Sequence, residues 1–426
     1  MFRHVSTPWA VLTGNRDFRR LFGAELVMFG GDWLVMVPLQ GLLITLTHNG
    51  LLGGIALAAD TGIQALLLPF AGVVADRIDR RRIMIASNAA AFVAVLLLLL
   101  VRTESTAWLG PVAIGAVAIA KAFYSPAATA ALPNLVAPED LSAANAVAGS
   151  AWGTMTVVGS SLGGVLSAVF SPYTCFLITA TMLAVAAMLA LGVRRPMQAP
   201  RDPAAEQAPT WHALRESARY IVHRPRVAAL VTVKSAVGLG NGVLALFSVL
   251  ATEVFMLGAI GTGLLFAARG LGALVGPLLM RRLLGRGRWL LTGLSISMVG
   301  YGLAYLGVSI TVWFPLVLVL VVIAHIAGGG NWMMSNYALQ AEVPDILRGR
   351  VFAFDQMIAM LAVSTSLLAV GALEGHVSAR VLVACCGGVT LLYGIGWRLV
   401  TLRIGRDRPE TDIAESSREY SAVSDS

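Results

Sequence analysis

Asp32, Glu25, Asp60, Lys121, Lys234, Arg269 and His325 each interrupt a stretch of sequence that is otherwise apolar. A charge at the centre of a hydrocarbon layer costs at least about 2.5 kcal/mol, so each such residue marks a cavity, an ion pair or a proton-carrying position. Asp32 follows Gly30-Gly31, where a helix can bend, and lies roughly 16 Å into its apolar block at about 1.5 Å per residue. Glu25, Asp32, Met36 and Gln40 are spaced by seven, four and four residues, which puts them on one helix face. Such a polar and thioether stripe suits a water-accessible wall. Two readings of Asp32 stand side by side: a proton carrier that alternates between environments, or a structural acid paired with Lys121 or Lys234. Glu25, Asp60 and His325 are the other proton-coupling candidates, although a lone histidine is often hydrogen-bonded packing. Met28, Phe29 and Trp33 offer adaptable contacts to lipophilic compounds, or simple packing. Asn241 and Trp332 complete the cavity candidates, Trp332 following Gly328-Gly329-Gly330, which either break their helix or let it pack closely. Asp355 is expected to pair with the arginines just before it.

These residues need helices to carry them. The chain has 426 residues, 57% hydrophobic and 13% charged, about half the charged fraction of a soluble domain. Its apolar blocks run roughly 19 to 28 residues, enough to cross a hydrocarbon core of about 30 Å. Twelve transmembrane helices are predicted at 21–46, 51–75, 83–101, 108–129, 142–170 and 173–193, then 227–251, 259–280, 289–308, 311–334, 351–373 and 381–402. Residues 1–20 precede them, a Pro-rich stretch at 194–226 with a basic amphipathic piece around Trp211 to Val222 links the two sets, and a charged, Ser-rich tail occupies 403–426. The first twenty residues carry four arginines and no apolar stretch, so no cleavable signal is expected.

The formal charge of +8 does not call for nucleic acid. Of the 31 Lys and Arg, only Arg102 and Arg380 fall on one side of the predicted topology and three, Lys121, Lys234 and Arg269, lie deep within apolar blocks, leaving 26 on or next to the other side with both termini. That asymmetry is the positive-inside pattern of a multi-pass inner-membrane protein with cytoplasmic termini, and anionic lipid is the partner of the arginines. Cys175, Cys385 and Cys386 give neither a disulfide framework nor a metal spacing. Neither lysine sits in a phosphate loop, so ATP is not expected to drive the protein. Gly159 to Gly163 matches a nucleophile-elbow pattern but lies within a spanning helix rather than at a strand–turn–helix junction. No enzyme, cofactor or metal is expected.

The halves repeat. Glu25 and Lys234, Asp32 and Asn241, and Asp60 and Arg269 are all 209 positions apart, and Ala131-Leu132 returns as Ala338-Leu339. Six helices separate equivalent positions, so the halves share one orientation, as in parallel-repeat transporters. The inverted signs suggest charges balanced across the cavity, Glu25 against Lys234 and Asp60 against Arg269.

Between helices 2 and 3 the chain reads Gly72-Val-Val-Ala-Asp76-Arg77-Ile-Asp79-Arg80-Arg81-Arg82. This resembles the corresponding signature of the major facilitator superfamily, with Asp79 where that family usually has Gly. Asn15-Arg16-Asp17-Phe18, Gly31-Asp32-Trp33, Ser125-Pro126-Ala127 and Asn145 resemble its branch of bacterial drug and siderophore exporters. Gly159, Gly163 and Gly164 are similar to that branch's antiporter motif, with Ser160 in place of Pro. The resemblance implies an all-α membrane protein of twelve helices in two six-helix halves. It also implies a latch in which Gly72, Asp76, Arg77, Arg80 and Arg81 meet the start of helix 11 at Arg348 and Arg350. The function it implies is secondary active transport, a proton-coupled efflux of lipophilic or amphipathic small molecules. An importer, facilitator or lipid flippase of the same fold is the alternative, and a non-transporting receptor or scaffold the alternative from another class.

Overall fold

A backbone that crosses lipid must satisfy its own N–H and C=O groups, and the apolar blocks do so as helices. The computed structural model describes residues 8–48, 50–137, 140–198, 210–284 and 290–404, and among them no strand forms. The first half comprises α1 (Arg16–Thr47), α2 (Leu51–Arg77), α3 (Arg80–Leu97), α4 (Leu109–Leu135), α5 (Leu141–Val169) and α6 (Pro172–Leu191). The second comprises α7 (starting as Pro225–Gly240), α8 (Gly258–Leu284), α9 (Leu290–Ile310), α10 (Phe314–Glu342), α11 (Asp345–Leu373) and α12 (Ala379–Ile404). Eleven of these are long and apolar enough to span a membrane; in α5 the described apolar stretch, Gly153–Val169, is shorter. A surface helix, Thr210–Val222, covers the predicted amphipathic piece, while 199–209 and 405–426, most of the linker's prolines and most of the tail, lie outside the described residues.

The ends are set by local chemistry. Asn15 caps α1 by accepting from Asp17 and Phe18 N–H, and its amide donates to Leu135 O at 2.7 Å. The same turn holds α6, since Asp17 accepts from Arg194 N–H at 2.9 Å. The motif at Asn15–Phe18 is therefore a splice joining three helix ends. Asp79 caps α3, accepting from Arg82 N–H at 3.0 Å, which explains how an acid replaces glycine there: its φ of −57° needs no left-handed residue.

Each half is packed the same way. α1 lies on α5 and α6, α4 on α2 and α3, and α3 on α6; α7 repeats this with α11 and α12, α10 with α8 and α9, and α9 with α12. The halves meet along α5–α8 and α2–α11, themselves an equivalent pair. At the end of the bundle remote from the linker, glycines bring these helices together. A Cβ on Gly263 would lie 2.8 Å from Ser160 O, one on Gly164 2.8 Å from Ala259 O, and one on Gly54 3.1 Å from Gly371 Cα. The glycines of the antiporter-like motif are thus a close-packing face, with Gly159 and Gly163 against the backbone of α1 at Gly30 and Trp33.

The structure decides one open reading and adds one irregularity. Helix α10 runs unbroken through Gly328–Gly330, because those glycines seat the helix: a Cβ on Gly329 would meet Ala273 O of α8 at 2.9 Å. The irregularity falls instead in α7, which tightens to a 3₁₀ turn at Asn241–Leu246 and widens to a π turn at Leu250–Val254.

Because only backbone opposes a side chain at Gly263, Gly263→Leu should force α8 off α5 and open the remote end. In a cysteine-free background, a reporter cysteine at Met36 should then gain reactivity toward a membrane-impermeant thiol reagent applied from that side; unchanged reactivity would show that this contact is not the seal.

Candidate functional site: a charged central cavity

Between the halves lies a cavity of about 970 Å³, within the size range of small-molecule sites. Of the sequence candidates, Met28, Phe29, Asp32, Trp33, Met36, Asp60, Lys121, Asn241, Arg269, His325 and Trp332 line it. The cavity extends from Leu57 and Leu244, nearer the end remote from the linker, to Tyr337 and Gln340 toward the linker end.

Its N-terminal wall centres on one lysine. Lys121 of α4 reaches Asp32 of α1 at 2.7 Å and Asp60 of α2 at 3.0 Å. Gln64, one turn beyond Asp60, donates to the same carboxylate at 3.2 Å. The lysine side chain is 10% exposed and the two carboxylates 21% and 22%, so the acids, more than their shared cation, face the cavity. Three helices are tied by one ammonium, and the group as a whole holds one acid more than it holds bases.

The C-terminal half is built differently. Lys234 of α7 is ion-paired to Asp355 of α11 with both side chains fully buried, donates to Asn336 Oδ1 at 2.6 Å and lies 4.9 Å from the Trp332 ring centroid. This corrects two expectations. Lys234 does not balance Glu25, and Asp355 pairs with Lys234 rather than with the arginines before it, because its helix position turns it inward toward α7. Lys234 is sealed behind Trp332 and Asn336 and does not line the cavity. Above it, Tyr301 donates to Asn241 Oδ1 at 3.2 Å and Tyr305 bonds His325 Nε2 at 2.9 Å. Arg269 lies over Trp33 of the other half at 5.1 Å, and Trp33 packs on Phe266 at 5.2 Å. His325 is thus held in an aromatic cage.

Two members of the helix 1 stripe fall outside the cavity lining. Gln40 is buried and donates to Gly53 O at 2.8 Å, joining α1 to α2; Glu25 lies about two turns from Asp32 toward the linker end and is not a lining residue. The stripe is real on one face, but the cavity spans only its middle.

At the linker end the side chains of Gly72 and Asp76 lie outside the described residues. Arg77 is exposed. Arg80 donates to Ala130 O at 2.7 Å and Met197 O at 3.1 Å, and Arg81 to Arg195 O at 3.2 Å. These arginines stitch α4 and the segment after α6 to α3 within their own half through carbonyl groups. Arg348 donates weakly to Val343 O at 3.4 Å, while Arg350 bridges to Glu216 of the surface helix at 3.0 Å. Asn336, Gln64, Tyr301 and Tyr305 were not singled out in the sequence; the first two follow Trp332 and Asp60 by four residues, a spacing that shares their helix face.

Breaking a buried ion pair leaves an uncompensated charge and costs about 3 to 5 kcal/mol, whereas replacing both members by apolar groups is often neutral. Lys234→Met should therefore lower the thermal unfolding midpoint of the purified protein markedly, and adding Asp355→Leu should restore most of it. A double variant as unstable as the single one would remove the pairing account.

Residues 21–257 match the model of the Major Facilitator Superfamily. An uncharacterised MFS-type transporter of Mycobacterium tuberculosis is 27% identical, the alignment covering 89% of this chain and 91% of that protein. The staphyloferrin A transporter of Staphylococcus aureus is 23% identical over 79% of this chain and 84% of its own. Among solved structures, a bacterial homologue of the human lysosomal transporter Spinster, in an inward-facing and unoccupied conformation, superposes with a TM-score of 0.71 at 16% identity, covering 93% of this chain and 98% of that one. A POT family transporter in complex with a thioalcohol-conjugated peptide gives 0.73 at 12% identity, covering 92% and 97%. The parallel repeat, the central cavity and these matches together place the chain in the Major Facilitator Superfamily, as a membrane transporter rather than an enzyme.

Proposed function

We propose that this transporter couples protons to the export of lipophilic or amphipathic small molecules, with the halves at 21–193 and 227–402 rocking about the cavity. The observation that carries this reading is the lysine shared by two cavity-facing carboxylates. Charge balance in a low-dielectric site calls for one more positive group, supplied either by a proton or by a basic group on a substrate. Mutual exclusion of the two is antiport. Asp32 and Asp60 are the acids concerned, and His325, bonded to Tyr305, serves the packing of the C-terminal wall.

The cavity's other walls suit the substrate class. Met28, Met36, Phe29, Trp33 and Trp332 present thioether and aromatic surface, which adapts to varied apolar shapes. The excess of Lys and Arg at the linker end supports cytoplasmic termini and contact with anionic lipid in a cell inner membrane. In that orientation the glycine-packed end is external and the cavity lies toward the cytoplasm, where a substrate for export is collected. For a substrate of no net charge, inward movement of one proton down about 100 mV releases roughly 2.3 kcal/mol, worth well over a tenfold substrate gradient. The staphyloferrin A transporter adds siderophores to the compounds worth testing.

Substrate-triggered proton movement in everted vesicles tests the proposal. Dyes, antibiotics and siderophores are added to vesicles with an acidified lumen, with wild type and Asp32→Asn compared. Proton release that requires both a compound and Asp32 is expected; silence across the panel from correctly inserted protein would point to a facilitator, flippase or importer, or to a receptor that does not transport.

A further inference from the structure

Asn336 of α10 stands between a sealed ion pair and the cavity: it lines the cavity, while Lys234 behind it does not. Its Oδ1 accepts from Lys234 Nζ at 2.6 Å. An ammonium can only donate, so this contact fixes which way the amide points. The oxygen is turned to the ion pair, and Nδ2 is the end that carries hydrogens to offer elsewhere. No acceptor among the described residues takes them, and Nδ2 is not one of the polar atoms closed off inside the protein. Lys234 holds the oxygen firmly, since the lysine is fully buried with Asp355 and the Trp332 ring as its other neighbours. Releasing Asn336 would leave an N–H of a buried cation unmet.

The chemistry of the exposed nitrogen follows from what lies behind it. Lys234 and Asp355 pair one to one, so the pair carries no net charge and the amide is a neutral donor. A neutral donor suits the oxygen of a ketone, ester or amide, whereas a carboxylate needs a cation to leave water. The cavity face around it is of the same kind. Trp332 one turn before and Gln340 one turn after line the cavity with Asn336, and Gln356 does so from α11. An aromatic ring and three amides thus stand on the C-terminal wall, in contrast to the ionised Asp32–Lys121–Asp60 group of the N-terminal wall. An apolar body pressed on Asn336 strips water from its N–H and returns nothing, while a carbonyl oxygen replaces that water.

We infer that Asn336 is a substrate-binding residue that donates to a neutral carbonyl oxygen, and that the buried Lys234 orients it for that role. The substrate is then a lipophilic base: its basic group meets the surplus carboxylate of the N-terminal wall and its carbonyl meets Asn336. The carbonyl subsite requires only that the cavity binds substrate; the basic partner rests on the antiport reading.

Two cationic dyes that differ in one ester group test this by binding alone: tetramethylrhodamine methyl ester, and tetramethylrosamine, which has the same xanthene and pendant phenyl ring without the ester. Fluorescence anisotropy is measured on the full-length protein in lipid nanodiscs, with empty nanodiscs subtracted. The preference for the ester should be about tenfold larger in wild type than in Asn336→Asp, the size of effect of one donor left unmet. Aspartate keeps an acceptor for Lys234 and loses the donor, and its charge acts on both cations alike and cancels in the ratio. Asn336→Gln should retain part of the preference. Lys234→Met combined with Asp355→Leu frees the amide to turn and should lower the preference, although neither residue lines the cavity. An equal preference in wild type and Asn336→Asp, or no saturable binding of either dye, would overturn the subsite. A preference unchanged in the double variant would overturn the orienting role of Lys234. Preference for the ester without dye-triggered proton movement would leave the subsite standing and remove antiport; proton movement with equal binding of both dyes would do the reverse.

Discussion

Lys121 between Asp32 and Asp60 is the contact on which the arrangement of the first half depends. In lipid, none of the three charges is tolerable alone, so the helices that carry them are constrained to converge where the ammonium can serve both acids. The convergence of α1, α2 and α4 creates one wall of the cavity and fixes its sign. It also leaves this three-residue group with one acid more than it has bases, the feature on which the proposed proton coupling rests.

The second half meets the same constraint by the opposite route. Its lysine and aspartate are paired one to one, fully buried and screened from the cavity by Trp332 and Asn336. Nothing entering the cavity needs to satisfy them. The two halves thus differ: the C-terminal half pairs its lysine and aspartate out of reach of the cavity, whereas the N-terminal half presents both of its acids to it. Close glycine contacts between α5 and α8 and between α2 and α11 give the halves two seams of equivalent geometry, along which a packed interface can shift between discrete arrangements.

Much of this was legible in the sequence, for identifiable reasons. Apolar block length gave the spans, because helix rise and bilayer thickness fix each other. The 209-residue offset gave the parallel repeat, and charges within apolar blocks gave the cavity's core, Asp32, Asp60, Lys121 and Arg269. Pairing was harder to read. Lys234 was matched to Glu25 through the repeat, but a repeat relates equivalent positions, not neighbours, and the true partner, Asp355, lies 121 positions along the chain. Gly328–Gly330 read equally as a break or as packing, since glycine permits both, and only the approach of α8 decides it. Gln40 shared a face with Asp32 yet packs on Gly53, because one helix face passes through cavity and protein interior in turn.

Proton coupling through Asp32 and Asp60, as proposed, requires that their protonation bias which end of the cavity is closed. Pulsed electron-spin distance measurements between labels at Trp108 and Val312, exposed positions on opposite halves at the end remote from the linker, address it directly in the reconstituted protein. The account predicts a distance distribution that shifts between alkaline and acid pH in wild type and is fixed at all pH when both acids are replaced by asparagine. A wild-type distribution that does not respond to pH, or one that responds equally with both acids removed, would contradict it.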